Sequence, residues 1–204
     1  MVDWTEHESL ARDTQRFQQV LQPQLPEGIA IEACELLSLR RVEDLSGDDE
    51  DGLLTSYRVS FAGAVAETRG VQLYAGHIVT NARELFAAHV SRALAPPVCG
   101  PPVVFLPDMD MVLFAFPNDA RLLLLGDCVS RAALDACIAN APDFAGCSVI
   151  ESAYEVLRYD PNQACTLRFT AVLERDSVRR THRLIARTRI DGSSLHIETF
   201  LGHG

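Results

Sequence analysis

The chain has 204 residues, a formal charge of −10 and no lysine, so that all 18 of its basic residues are arginine. Such a length buries roughly 70% of the unfolded surface, so one large or two small domains form without a disulfide or metal staple, and the acidity excludes a nucleic-acid groove or an anionic-membrane surface. The missing lysine excludes Schiff-base chemistry and the lysines with which phosphate-binding loops and kinases hold phosphate.

The N-terminal stretch MVDWTEHESLARDTQRF is polar and carries no apolar leader, and no later segment offers about 18 uninterrupted apolar residues. A cytoplasmic protein without a membrane span is expected. Trp4, Leu10, Phe17, Val20 and Leu21 recur at helical spacing over residues 3–21, and QPQLPEG stops the helix. Alternation and β-branched residues predict a strand from Ile29 to Arg41, the turn EDLSGDDEDG, a second strand from Leu53 to Phe61 and a third from Thr68 to Tyr74. The segment TNARELFAAHVSRAL predicts a helix over 80–94, with Thr80 as N-cap and Leu85, Phe86, Val90 and Leu94 on its apolar face.

Two Pro pairs then impose extended backbone ahead of the apolar runs in VVFLPDMDMVLFAFPND. Ser130 caps a helix in SRAALDACIANAP, with Pro142 beyond its end. A second meander starts at Val149 and runs through YEVLRYDPNQACTLRFTAVLE and THRLIARTRI. Its Leu157-Arg158-Tyr159 falls against Leu39-Arg40-Arg41, and Phe169-Thr170-Ala171 falls near Tyr57-Arg58-Val59, so the chain reads as an internal repeat. The expected fold is α+β, with two antiparallel meanders and a packed helix on each. The expected division is 1–95 (opening helix and first meander), 96–146 (central strands and helix) and 147–204 (second meander).

Few side chains group as a site. Asp108-Met109-Asp110 reads as a turn with a capping Asp, the alternative being a metal-binding pair. Pro117-Asn118-Asp119 reads as a turn that sets how the central segment crosses between the meanders. The run Asp48-Asp49-Glu50-Asp51 lacks the alternate spacing of a calcium loop and reads as a solvated hairpin tip. No two of His77, His89, His182 and His196 have i, i+4 spacing, and no C-x-x-C pair occurs among the six cysteines, so no metal is expected. Cys165 reads as a small buried hydrophobe. Arg40, Arg58, Arg158, Arg168 and Arg187 recur on the strands. They read either as sheet-surface arginines paired with carboxylates, or as an anion site where Arg158, Arg168 and Arg187 converge on a phosphate or carboxylate.

Two blocks carry a family resemblance. Val156-Leu157-Arg158-Tyr159, Pro161, Cys165 and Leu167-Arg168-Phe169 form one; Leu106-Pro107-Asp108-Met109-Asp110, Val112-Leu113 and Phe116-Pro117-Asn118-Asp119 form the other. Together they resemble the hairpin and central segment of the aminoglycoside phosphotransferase-like, maltokinase-related family. The resemblance implies kinase small-lobe-like meanders: a hairpin whose turn covers ATP phosphates, a third-strand Lys that grips them, and a following large lobe with the catalytic base and magnesium ligands. This chain departs from that pattern. Its hairpin turn DPNQA holds no Gly, Arg187 or Gln72 stands where the family has Lys, and no histidine opens an H-x-D-x-x-x-x-N loop.

The resemblance therefore implies a non-catalytic, pseudokinase-like accessory subunit without cofactor, whose partner is another protein or a second copy. The alternative is the N-terminal part of an ATP- and magnesium-dependent small-molecule phosphotransferase whose catalytic lobe lies outside these residues. A third reading keeps the arginine anion site for sensing alone. The apolar tail residues Leu195, Ile197, Phe200 and Leu201 are expected to dock on the sheet or on a partner.

Overall fold

The structure, a computed structural model, describes residues 4–43, 51–63, 70–92 and 94–190, together with the backbone of 196–199. It is α+β, with two antiparallel sheets and packed helices. The chain forms two compact units, Met1–Ala120 and Arg121–Gly204.

The first unit opens with two helices where one was predicted: α1 (Thr5–Arg12) and α2 (Thr14–Leu21). Asp13 interrupts them because its ψ of 86° leaves the helical region while its carboxylate accepts the Arg16 N–H at 2.9 Å. It is thus the N-cap of α2, a position that Asp fills well. A 3₁₀ turn at Gln22–Gln24 follows, then β1 (Ile29–Val42), β2 (Gly52–Gly63) and β3 (Val71–Ile78). The third strand therefore reaches four residues past its predicted end at Tyr74. Residues 48–50 of the acidic run lie outside the described residues.

Helix α3 (Ala82–Val90) starts later than predicted, with Asn81 rather than Thr80 at the N-cap. Its buried face is Ala82, Leu85 and His89, whereas Val90 is 51% exposed and Leu94 lies past its end. Strands β4 (Val103–Leu106) and β5 (Met111–Ala115) complete a sheet of order β1-β2-β3-β5-β4. The central segment is accordingly divided: its strands belong to the first sheet through β3–β5 pairing, and its helix belongs to the second unit.

Because successive side chains alternate across the sheet, Leu53, Tyr57, Val59 and Phe61 of β2 face α1 and α2, forming a core with Phe17, Leu21, Tyr74 and Met111. On the other face His89 of α3 meets Phe114 edge-on at 5.0 Å, and Phe114 meets His77 at 5.1 Å. Gly76 sits between these layers with no space to spare. A Cβ there would lie 2.2 Å from Thr55 Oγ1 and 3.0 Å from Met111 Sδ. Gly76→Ala is expected to lower stability by about 1–3 kcal/mol through overpacking, and a Thr55→Ala background should recover part of that loss in urea unfolding. Equal losses in both backgrounds would contradict the clash.

The second unit comprises α4 (Leu125–Cys128), α5 (Arg131–Asn140), a 3₁₀ turn at Pro142–Phe144, and β6 (Ser148–Asp160), β7 (Ala164–Arg175), β8 (Val178–Arg189) and β9 (His196–Thr199) in sequential order. Ser130 caps α5 as predicted, its hydroxyl accepting the Ala133 N–H at 3.1 Å. Asp176 and Ser177, with φ of 51° and 63°, make the two-residue β7–β8 turn, the geometry that matches strand twist. Cys165, Leu167, Phe169, Ala171 and Leu173 of β7 form the buried face, and α5 buries Leu134 and Ile138 where it packs at β6.

Within each unit the same plan recurs: two helices, a 3₁₀ turn, a glycine at positive φ (Gly28, Gly146) and a three-strand meander. The register aligns the copies more finely. Glu35 pairs with Arg58 and Glu155 with Arg168, and each pair lies beside a β-bulge at an exposed leucine, Leu37 or Leu157. Arg58 therefore corresponds to Arg168, and the repeat shifts by two residues from the sequence pairing on each of the two strands. Both copies carry two bulges on the first strand, so the slip comes from the unequal hairpins: Leu37 and Arg58 stand 21 positions apart, Leu157 and Arg168 only 11.

Candidate interaction surface

The register shows where each predicted residue stands. Arg158, Thr166 and Arg187 form one cross-strand row, and Glu155, Arg168 and Ile185 form the next. Thr166 and Arg168 are two apart on β7, so all three predicted arginines share one face of the second sheet. It is the face opposite the buried one. The Arg158 guanidinium holds Asp160 at 2.7 Å, and Arg168 is ion-paired with Glu155. The pairing with carboxylates thus describes these two, and such exposed pairs contribute about 0–1 kcal/mol. Arg179 is likewise paired with Glu174 at 2.7 Å.

Arg183, Arg187 and Arg189 behave differently. They lie on the same face of β8, all exposed; across β7 they stand opposite Thr170, Thr166 and Ala164, and across β9 Arg187 stands opposite His196 and the intervening Ile185 opposite Glu198. Among the described residues none of the three side chains has a hydrogen bond or ion pair. Sequence reasoning included Arg187 but missed Arg183 and Arg189; alternation along THRLIARTRI was the signal that groups them.

The other predicted positions are structural. Gln72 is buried, donates to the carbonyls of Leu73 and Phe116 at 2.8 Å each, and accepts the Val98 N–H at 2.8 Å, leaving no group for phosphate. Its counterpart is Leu184, opposite Phe169, whereas the counterpart of Arg187 is Ala75. Asp108 pairs with Arg16 at 2.9 Å, and Asp110 ends a 3₁₀ turn at φ 44° with its carboxylate 3.6 Å from His7. Asn118 is buried and binds both backbone groups of Ala95. At the β6–β7 turn, Asn162 takes φ 62° and the Gln163 N–H closes on the Asp160 carbonyl.

His77 and His89 are buried core side chains, and desolvation lowers the His89 pKa. Cys165 is buried as predicted. Burial pushes the Cys34 thiol up to about 12 and raises Cys128, which disfavours the reactive thiolate at both. Among the described residues no three His, Cys, Asp or Glu side chains group as metal ligands. No described helix is long and apolar enough to cross a membrane.

The second unit also has a cleft of about 310 Å³ beside the β7–β8 turn, lined by Phe144, Cys147, Arg175, Arg180 and His182 and by Asp143 and Asp176. Its lining carries both signs of charge, and Arg175 is committed to the Ala145 carbonyl. Charge divides more sharply between the units. Residues 1–120 hold eight arginines and 18 acidic residues, hence all of the −10, while residues 121–204 hold ten of each and are neutral.

No protein-family model, curated protein or solved structure matches this chain.

Proposed function

We propose that the chain is a non-catalytic, kinase-derived module, pseudokinase-like, that acts as an accessory subunit by binding another protein through the outward face of its second sheet. The observation that carries this reading is the open, arginine-bearing face. In the first unit helices pack on both faces of the sheet; in the second, the face holding Arg183, Arg187 and Arg189 stays exposed. Arginine is enriched at protein interfaces, where its planar fork binds carboxylates bidentately.

The small-lobe derivation draws support from the order of the first unit, a hairpin and third strand followed by one helix and further antiparallel strands. The same unit supports the loss of chemistry. Phosphoryl transfer relies on positioned cations around the phosphates, and the third strand holds a buried Gln72 bonded to backbone. In the second hairpin the turn presents Asp160, whose charge is already matched by Arg158.

Purified protein supplied with ATP and magnesium is expected to transfer no phosphate above background to sugars or aminoglycosides, while native mass spectrometry of the protein isolated from its own cells should show a stable complex with another polypeptide. ATP-dependent transfer by the chain itself would overturn the reading. A complex whose second subunit carries an H-x-D-x-x-x-x-N loop and transfers phosphate would instead establish the divided phosphotransferase.

A further inference from the structure

The internal repeat indicates what kind of partner the open face takes. In the first unit the residues corresponding to Arg187 and Arg189 are Ala75 and His77, both fully buried; Ala75 pairs with Phe114 of β5, and the His77 ring lies 5.1 Å from Phe114. Phe114 in turn carries His89 of α3. Thus α3, resting on Phe114 of the neighbouring strand, covers in one copy the positions that are arginine in the other.

After β8 the second unit adds β9, which pairs edge to edge with Leu184–Arg187 and extends the sheet without covering its face. The face keeps Thr170, Arg183, Arg187 and Arg189 exposed around a half-buried Ile185. Along a strand, residues two and four apart lie about 7 and 13 Å from each other. Three guanidinium groups at that spacing, opposite Thr and Ala on β7 and with His196 and Glu198 in register with Arg187 and Ile185 on β9, make a cationic row flanking one apolar side chain.

We propose that this row is the docking site for an acidic segment of the partner protein, with carboxylates forming bidentate pairs to Arg183, Arg187 and Arg189 and an apolar side chain resting on Ile185. The inference rests on the accessory-subunit reading and names its partner's chemistry. Charge complementarity selects the occupant. A basic segment is repelled by the row.

The test uses the whole chain and a fluorescein-labelled oligoglutamate peptide, followed by fluorescence anisotropy. Binding is expected at low ionic strength, weakening as salt approaches ~0.15 M, where the screening length falls to about 8 Å. Arg183→Glu, Arg187→Glu and Arg189→Glu combined should weaken it at least about tenfold. Because all three side chains are exposed, the melting temperature should stay near that of the parent; a variant that nevertheless misfolds is replaced by the corresponding triple Ala substitution, for which the same loss is expected. Absence of peptide binding, equal binding by the charge-reversed chain, or tighter binding of an RNA oligonucleotide at the same arginines would overturn the proposal. The two readings fail separately: a cellular complex that survives the triple substitution refutes this docking site and leaves the accessory role standing, whereas phosphate transfer by the chain alone refutes the role itself.

Discussion

Phe17→Ala is expected to destabilise the first unit by about 3–5 kcal/mol, the range for emptying a buried aromatic site. Phe17 is fully buried, and its ring stacks on Tyr57 with centroids 4.0 Å apart and planes 13° from parallel. Tyr57 in turn donates its hydroxyl to the Ala11 carbonyl at 2.8 Å, which fixes α1 against the ring that α2 covers. Burial raises the Tyr57 pKa, so the hydroxyl keeps its proton and remains a donor throughout the neutral range. Removing Phe17 therefore opens a cavity and frees the ring that orients α1. Trp4 is the chain's single tryptophan, and it is buried in the same core. Its fluorescence during urea unfolding reports this unit without interference from the other. Tyr57→Phe provides the contrast, because it removes one hydrogen bond and leaves the stack; about 1 kcal/mol is expected. A Phe17→Ala loss no larger than that of Tyr57→Phe would show that the stack is not the keystone of this core.

This core shows what was legible in the sequence and what was not. Phe17 and Leu21 stand four apart, so the helical face that buries them could be read directly, yet the break at Asp13 could not. An Asp inside a helical pattern reads as a solvated side chain until its own ψ departs and its carboxylate turns to the Arg16 N–H. The meander strands were legible from alternation, and the cap at Ser130 from its place before an apolar run. The partner of β5 was not, because β3–β5 pairing joins segments separated by a whole helix and no local pattern encodes it. The arginines illustrate the same limit at the surface. Alternation places Arg183, Arg187 and Arg189 on one face, but whether each faces a carboxylate depends on register, and a single bulge changes the answer. Thus Arg168 meets Glu155, while two rows of the same sheet put Thr166 and Thr170 opposite Arg187 and Arg183. The comparison of Arg187 with Gln72 failed because strand pairing, not local pattern, sets the third strand: Arg58 faces Leu73 and Arg168 faces Ile185, which places Arg187 against Ala75.

Asn118→Ala should cost about 2–4 kcal/mol, more than the loss of a single surface hydrogen bond. The Asn118 carbonyl accepts the Ala95 N–H at 2.9 Å, and its amide donates to the carbonyls of Ala95 at 2.9 Å and Ala115 at 2.8 Å. One side chain thereby replaces the strand partner that Ala95 lacks and closes the turn after β5. Gln72 holds the neighbouring residue pair in the same manner, accepting from Val98 and donating to Phe116. The two amides anchor the Pro-rich segment, whose prolines supply few donors of their own, along the end of the first sheet. Truncation at 118 leaves both backbone groups of Ala95 without this partner, and an unsatisfied buried group costs about 1–3 kcal/mol. Asn118→Asp separates shape from donation: it keeps the acceptor for Ala95 N–H but places a carboxylate against two carbonyls, so it should be at least as damaging as Ala near neutral pH. Protection of the Ala95 amide in hydrogen exchange gives the local readout. It should fall in the Ala variant toward that of an exposed amide, whereas unchanged protection there would mean that other contacts hold the segment and that Asn118 only follows the turn.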